Sequence, residues 1–163
     1  MSLLSLFSQS LIKENYIFFD VETTGLYPLL HDRIIEIAMI KTSKGNIIDT
    51  IDMMINPEVC IPPEVSKINN ITDDMVNNAR TFDSELGQKF VDFIGDYTIV
   101  AHNASFDLGF LSVELGKVGM HFETWKAIDT LKIAGSIFPS QSNKLENLMR
   151  RYNIMPEGNL HRA

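Results

Sequence analysis

Three acidic residues are spaced so that they could do chemistry together. Asp20 and Glu22 close the run Tyr16-Ile17-Phe18-Phe19-Asp20-Val21-Glu22-Thr23-Thr24-Gly25, and Asp107 follows a second apolar run, Ile99-Val100-Ala101. In an extended chain, alternate residues share a face, so Asp20 and Glu22 project together at the end of an apolar strand. Two carboxylates so close repel one another unless a proton or a cation lies between them. Hard divalent cations such as Mg2+ and Mn2+ take oxygen ligands of this kind. Taken alone, Asp-x-Glu is better explained by a turn cap and a solvated strand end. Asp107 adds weight to the metal reading. It precedes Phe110 and Leu111 by three and four residues, which sets it on the packed side of a helix. An unpaired carboxylate buried there costs several kcal/mol, roughly, so it requires a partner.

The elements that must position these acids are readable from the changes of period. Tyr16 to Val21 is apolar on both faces, which predicts a central strand covered on both sides. A loop follows through Gly25 and Pro28. Arg33 to Ile40 and Ile47 to Ile55 read as strands joined by the turn residues Ser43-Lys44-Gly45-Asn46, hence as a hairpin. Pro57, Pro62 and Pro63 punctuate a loop, with short helical pieces at Val65 to Ile68 and Asp73 to Asn77. Thr81 is placed to cap a helix bearing Phe82, Leu86, Phe90 and either Phe93 or Ile94. Tyr97 to Ala101 is a short buried strand, and it leads into a helix striped by Leu108, Leu111, Leu115 and Val118. Further helices are predicted near Thr130 to Ile137 and Lys144 to Tyr152, with Asp129 as N-cap of the former. The N-terminal residues read as a short helix packed by Leu3, Leu4, Phe7 and Leu11. Strands paired antiparallel first, then alternating with helices, predict an α/β fold with one mixed sheet flanked by helices.

Composition limits the function classes. The chain of 163 residues is 45% hydrophobic and 21% charged, which suits one globular domain with a real core. Its 14 basic and 21 acidic residues give a net charge of −7. The whole molecule is therefore no electrostatic trap for nucleic acid, and a phosphate ligand must be held locally by metal or backbone donors. A single cysteine, Cys60, excludes an internal disulfide. No apolar run reaches the length of a membrane span, and the first residues lack the basic start of a signal peptide. The expectation is a cytoplasmic protein.

Phe19-Asp20-Val21-Glu22-Thr23-Thr24-Gly25-Leu26, Ile34-Ile35-Glu36-Ile37 and Val100-Ala101-His102-Asn103-Ala104-Ser105-Phe106-Asp107 together resemble the DEDDh 3′–5′ exonucleases. These DnaQ-like enzymes include the proofreading epsilon subunit of bacterial DNA polymerase III. Asp129-Thr130-Leu131 and Gly158-Asn159-Leu160-His161-Arg162-Ala163 resemble further landmarks, so the similarity runs from about Tyr16 to the last residue. The resemblance implies a ribonuclease-H-like fold, its first three strands antiparallel and the rest parallel. It implies two Mg2+ or Mn2+ ions held by Asp20, Glu22 and Asp107, with His161 as general base. By the same resemblance, Thr23, Leu26, Ile68, Asn69, Asn103 and Phe106 would border the 3′ nucleotide, with Leu26 wedged against its base and Phe106 stacked on it. Packing in the core is an equal reading for Leu26 and Phe106, and His102 and Asn103 also suit a role in shaping the turn.

Two departures stand out. The family's third motif continues from its histidine to an aspartate five positions later, which would fall past Ala163, so the chain reads as one exonuclease domain, 1–163, cut within that motif. Relatives commonly carry His-Gly where this chain has Asn69-Asn70. The expected activity is release of nucleoside monophosphates from single-stranded or frayed 3′ ends of DNA, in proofreading or repair, with a polymerase subunit as partner. An exoribonuclease of the same family, and a noncatalytic module that binds a polymerase or a nucleic-acid end, remain as alternatives.

Overall fold

A computed structural model describes residues 14–120 and 125–154. The N-terminal helix expected around Leu3 to Leu11, and His161 with its flanking motif, lie outside the described residues. Strands β1 (Asn15–Thr23), β2 (Ile34–Ser43) and β3 (Asn46–Met54) are followed by helices α1 (Pro63–Asn69), α2 (Asp73–Val76) and α3 (Ser84–Ile94). Then come β4 (Thr98–Ala101), α4 (Ala104–Lys117), β5 (Ala127–Asp129), α5 (Thr130–Ile137) and α6 (Leu145–Arg151). The sheet has the order β3-β2-β1-β4-β5. β1, β2 and β3 pair antiparallel, whereas β4 and β5 join parallel. This is the mixed sheet that the sequence predicts, with one strand more: β5 is only three residues long, too short for a period to show.

β1 is central, as expected, but among the described residues only one of its faces is fully covered. Ile17, Phe19 and Val21 are buried and pack with Leu86, Phe90 and Ile94 of α3 and Phe110, Leu111 and Leu115 of α4. On the opposite face Phe18 is 47% exposed, beside its cross-strand partner Ile40 at 38%. The apolar residues of that face misled the period argument, because aromatic and β-branched side chains favour strands even where one side is open. A second correction concerns α3. Its N-cap is Asp83, which accepts a hydrogen bond from the Leu86 N–H at 2.8 Å; Thr81 instead bridges to Asn56.

The open end of β1 is built with care. The pairing of β1 and β2 shifts between Glu22 and Thr23, where β2 carries an extra residue. Such a bulge turns the following backbone away from the sheet. The connection to β2 is then closed by Asp32, whose carboxylate accepts from the Tyr27 N–H at 2.8 Å and from the Thr24 hydroxyl at 3.4 Å. That hydroxyl also accepts from the Arg33 N–H at 2.9 Å. Gly25 is required here, since a Cβ would collide with the Asp32 carboxylate.

Arg33 ties this corner to α4. Its guanidinium donates to both carboxylate oxygens of Glu114, at 2.7 and 3.0 Å, and to the Pro57 carbonyl at 3.0 Å. Glu114 is buried on the helix, with Lys117 at 3.3 Å as its second cation. A forked pair of this kind fixes orientation as well as charge. Removing one member leaves the other buried and uncompensated, at about 3–5 kcal/mol. Arg33→Met should therefore lower the unfolding free energy by an amount on that scale. The double variant Arg33→Met/Glu114→Leu should recover most of it in urea melts. A double variant no more stable than Arg33→Met would show that the pair is more than mutual compensation.

Candidate active site

β1 and α4 bring Asp20 and Asp107 into contact. Asp107 stands in the first turn of α4 and is 2% exposed, in line with the helical spacing. The Val21 N–H donates to its Oδ1 at 3.3 Å, which fastens the helix start to the end of β1. Asp20 lies close enough that the two carboxyls act on each other, a setting that favours a proton or a cation between them. Burial, and then the charge of Asp20, push the Asp107 carboxyl up to about 8. Asp20 lies at the surface of the open face, yet is crowded enough that desolvation raises it too; the Glu36 charge adds to this, while Asp107, the Val21 N–H and His102 oppose it.

Glu22 stands on the same face of β1 as Asp20, two residues on and directly opposite Glu36 of β2. Glu36 is buried, and its charge reaches Asp20. The sequence reading quoted Glu36 within a motif without giving it a role; the available signal was an acid inside an otherwise apolar strand. His102 belongs to this neighbourhood as well. β1 and β4 are parallel with Phe18 beside Val100, and His102 follows the last residue of β4, near enough for its charge to act on Asp20. The His102 Nδ1 is 3.0 Å from the Thr130 hydroxyl, which donates to the Ala101 carbonyl at 3.1 Å. With that hydroxyl proton engaged, Nδ1 donates to the Thr130 oxygen, and the buried Nε2 has no hydrogen-bond partner among the described residues.

The donor set fits a hard divalent cation, because a buried carboxylate pair holding a proton at neutral pH is short of positive charge. Among the described residues, however, no three His, Cys, Asp or Glu side chains gather closely enough to hold a metal. Asp20 and Asp107 are the pair that meets. Asp129 is the N-cap that the sequence predicts: its carboxylate caps α5 through the Leu131 and Lys132 N–H groups and accepts from the Asn103 N–H at 3.2 Å.

The residues expected to border a nucleotide occupy varied settings. Thr23 is buried, with its hydroxyl donating to the Gly25 carbonyl at 2.6 Å. Leu26 and Ile68 are 67% and 60% exposed, so neither is core. Asn69 is 1% exposed and spends its Oδ1 on the Ile71 N–H at 3.0 Å, closing the turn after α1. Asn103 adopts a left-handed conformation (φ 79°) at the start of α4, and Phe106 packs against Phe110 with ring centroids 5.0 Å apart.

Comparison with known proteins places this geometry. Residues 17–163 match the exonuclease family RNase_T. DNA polymerase III PolC-type of Bacillus cereus is 42% identical over 139 residues, a match covering 85% of this chain and 10% of that protein. The chain thus spans about a tenth of the length of the curated relatives it matches. Among solved structures, exonuclease X in complex with 5′ overhanging duplex DNA is 25% identical, with a TM-score of 0.64 over 90% of this chain and 80% of that one. The nuclease domain of 3′hExo, a DEDDh family member bound to rAMP, shares the fold at a TM-score of 0.75 and 20% identity, over 91% of this chain and 84% of that one.

The raised Asp107 has a measurable consequence. Below about pH 4 the carboxyl is protonated both folded and unfolded. From there to about pH 8 the unfolded chain gives up the proton and the folded chain keeps it, so metal-free stability falls as pH rises and levels off above that. Asp107→Asn removes this dependence. At pH 8 the metal-free variant should melt higher than the parent by at least roughly 2–4 °C, with a flatter profile between pH 5 and 8. Parallel profiles would mean that Asp107 is ionised throughout.

Proposed function

Because the chain belongs to the exonuclease family, in its DEDDh, DnaQ-like 3′–5′ branch, we propose that it is a single exonuclease domain that releases nucleoside monophosphates from single-stranded or frayed 3′ ends of DNA, using two Mg2+ or Mn2+ ions. The observation that carries this reading is the Asp20–Asp107 pair at the open end of β1, with the Asp107 carboxyl pushed up to about 8. Asp20 and Asp107 would hold the metal, joined by Glu22 from the same face of β1. When bound, it supplies Lewis-acid stabilisation of the charge that develops on the scissile phosphate.

The chain's own residues do the rest. The Val21 N–H holds Asp107 against β1, so the carboxylates are in place before substrate arrives. His161 would take the proton of the attacking water; a side chain with an unperturbed pKa near 6.5 suits that task near neutral pH. Leu26 and Ile68 offer exposed apolar surface to the terminal base, with Thr23, Asn69, Asn103 and Phe106 shaping the surroundings. Sequence similarity to PolC-type polymerases over the exonuclease portion favours proofreading for a DNA polymerase as the setting.

Asp20→Asn keeps side-chain volume and removes charge. It should reduce hydrolysis of a 3′-end-labelled oligonucleotide by about 10³-fold, the scale for losing one charge-stabilising group, with the circular dichroism unchanged. Parental rates in the variant would end the metal reading. Terminal nucleotides must also leave the stack to reach such a site, which costs a few kcal/mol, roughly, and least at a mismatch. A mismatched primer end should therefore be trimmed about 10–100-fold faster than a paired blunt end; equal rates would exclude a substrate made single-stranded before cleavage.

A further inference from the structure

The chain is acidic overall, but its charge is unevenly divided. Residues 125–154 carry Lys126, Lys132, Lys144, Arg150 and Arg151 against Asp129 and Glu146, an excess of positive charge in a molecule of net −7. This stretch contains β5 and the two helices that follow it. The root of the arm is fastened to the site. The Asp129 carboxylate caps α5 and accepts from the Asn103 N–H, and the Thr130 hydroxyl joins the Ala101 carbonyl and the His102 ring. Beyond that root Ala134 alone is fully buried in the two helices among the described residues; Leu131, Leu148 and Met149 are half-buried, whereas Lys132, Ile133, Ile137, Leu145 and Arg150 are exposed.

The cations on this arm are available. The Lys132 side chain is 76% exposed and only 3.8 Å-paired with Asp129, and Arg150 stands in the same relation to Glu146. Lys144 is exposed at the start of α6. Exposed pairs of this length hold their cations weakly. Arg151 is different: it donates to Gln141 at 2.8 Å and lies 4.0 Å over the Phe138 ring, which meets Tyr152 edge-on at 6.4 Å. That stack fixes the corner between the helices and leaves Tyr152 exposed. Mobile cations beside a fixed, exposed aromatic ring are what backbone-tracking single-strand surfaces use.

We propose that the α5–α6 arm is the docking surface for the unpaired DNA strand on the 5′ side of the nucleotide being removed, with Lys132, Lys144 and Arg150 meeting its phosphates and Tyr152 offering a face to a base. The proposal rests on the exonuclease reading for the identity of the strand. Charge complementarity selects the occupant: an acidic domain repels a polyanion everywhere except where cations outnumber acids, and here that excess begins at the edge of the site. The exposed Ile133, Ile137 and Leu145 on the same helices would suit a protein partner, which the experiment separates.

The test compares the parent with the triple variant Lys132→Gln/Lys144→Gln/Arg150→Gln. Binding of 5′-fluorescein-labelled dT12 is followed by anisotropy in EDTA, where no turnover occurs, at several salt concentrations. Hydrolysis of a chromogenic thymidine 5′-phosphodiester, which has no upstream strand, is followed separately with Mg2+. The variant should bind dT12 about 10-fold more weakly at low salt, and its log–log salt slope should be smaller by about 2, given ~0.7 per phosphate contact on a single strand. Ester hydrolysis should be unchanged. Equal affinity and slope in the two proteins overturn the arm as a DNA surface and leave it to a protein partner. Absence of ester hydrolysis in both, measured in the full-length protein with its third motif complete, sinks the exonuclease reading instead, so the two failures are told apart.

Discussion

The contact between Asp20 and Asp107 is the constraint on which the remaining structure depends. It joins two elements far apart in sequence, the end of β1 and the first turn of α4, through groups that cannot both be charged in that setting. A fold selected for stability alone would place an apolar pair there. The domain instead holds two like groups together and surrounds them with fixed geometry. The Val21 N–H pins Asp107, the β1–β2 bulge turns the chain away just past Glu22, and the Thr24–Asp32 bonds close the loop beyond it. The Arg33–Glu114 fork then locks α4 against the same corner. Each of these works against the separation that repulsion would favour.

The local excess of acid extends past the meeting pair. Glu22 and Glu36 face each other across β1 and β2, an arrangement of like charges that normally weakens a sheet. Glu36 is nevertheless buried and its charge bears on Asp20. A cluster of acids at one end of one strand, supported by ordinary packing elsewhere, is the kind of place where binding or chemistry is expected. The ordinary packing is supplied by the opposite face of the same strand, where Ile17, Phe19 and Val21 meet α3 and α4. One strand therefore anchors the core with its odd-numbered residues and carries the acids with its even-numbered ones.

That division explains what the sequence revealed and what it hid. The acids were legible because their positions follow from period alone: two on one strand face, and one on the packed side of a helix. The strand order was legible because turn residues and Pro-rich breaks separate runs of distinct period. The openness of the Phe18 face was hidden, since an apolar residue on an uncovered face looks the same in sequence as one under a helix. The Arg33–Glu114 fork was hidden too, because nothing local announces that a charge within the stripe of Leu111 and Leu115 will find a partner 81 residues away. Asn69 carries a bond that its type alone does not announce: its Oδ1 accepts from the Ile71 N–H. Resemblance transfers a position, whereas the hydrogen bond depends on the residue that stands there.

The uneven charge of the chain follows from the same constraint. A site made of clustered carboxylates repels the phosphates it is proposed to cut, and a domain of net −7 adds to that repulsion at long range. Cations placed within the cluster would relieve the repulsion, but they would also compete with a divalent metal for the carboxylates. Cations placed just outside it do not. The arm that begins at Asp129 meets this requirement: it is tied to the turn that starts α4, yet Lys132, Lys144 and Arg150 are exposed along two helices in which Ala134 alone is fully buried among the described residues. Separating attraction for the strand from affinity for the metal lets each be strong without weakening the other. The thin packing of α5 and α6 is the structural counterpart of that separation, since helices that contribute little to the core are free to spend their surfaces on charge.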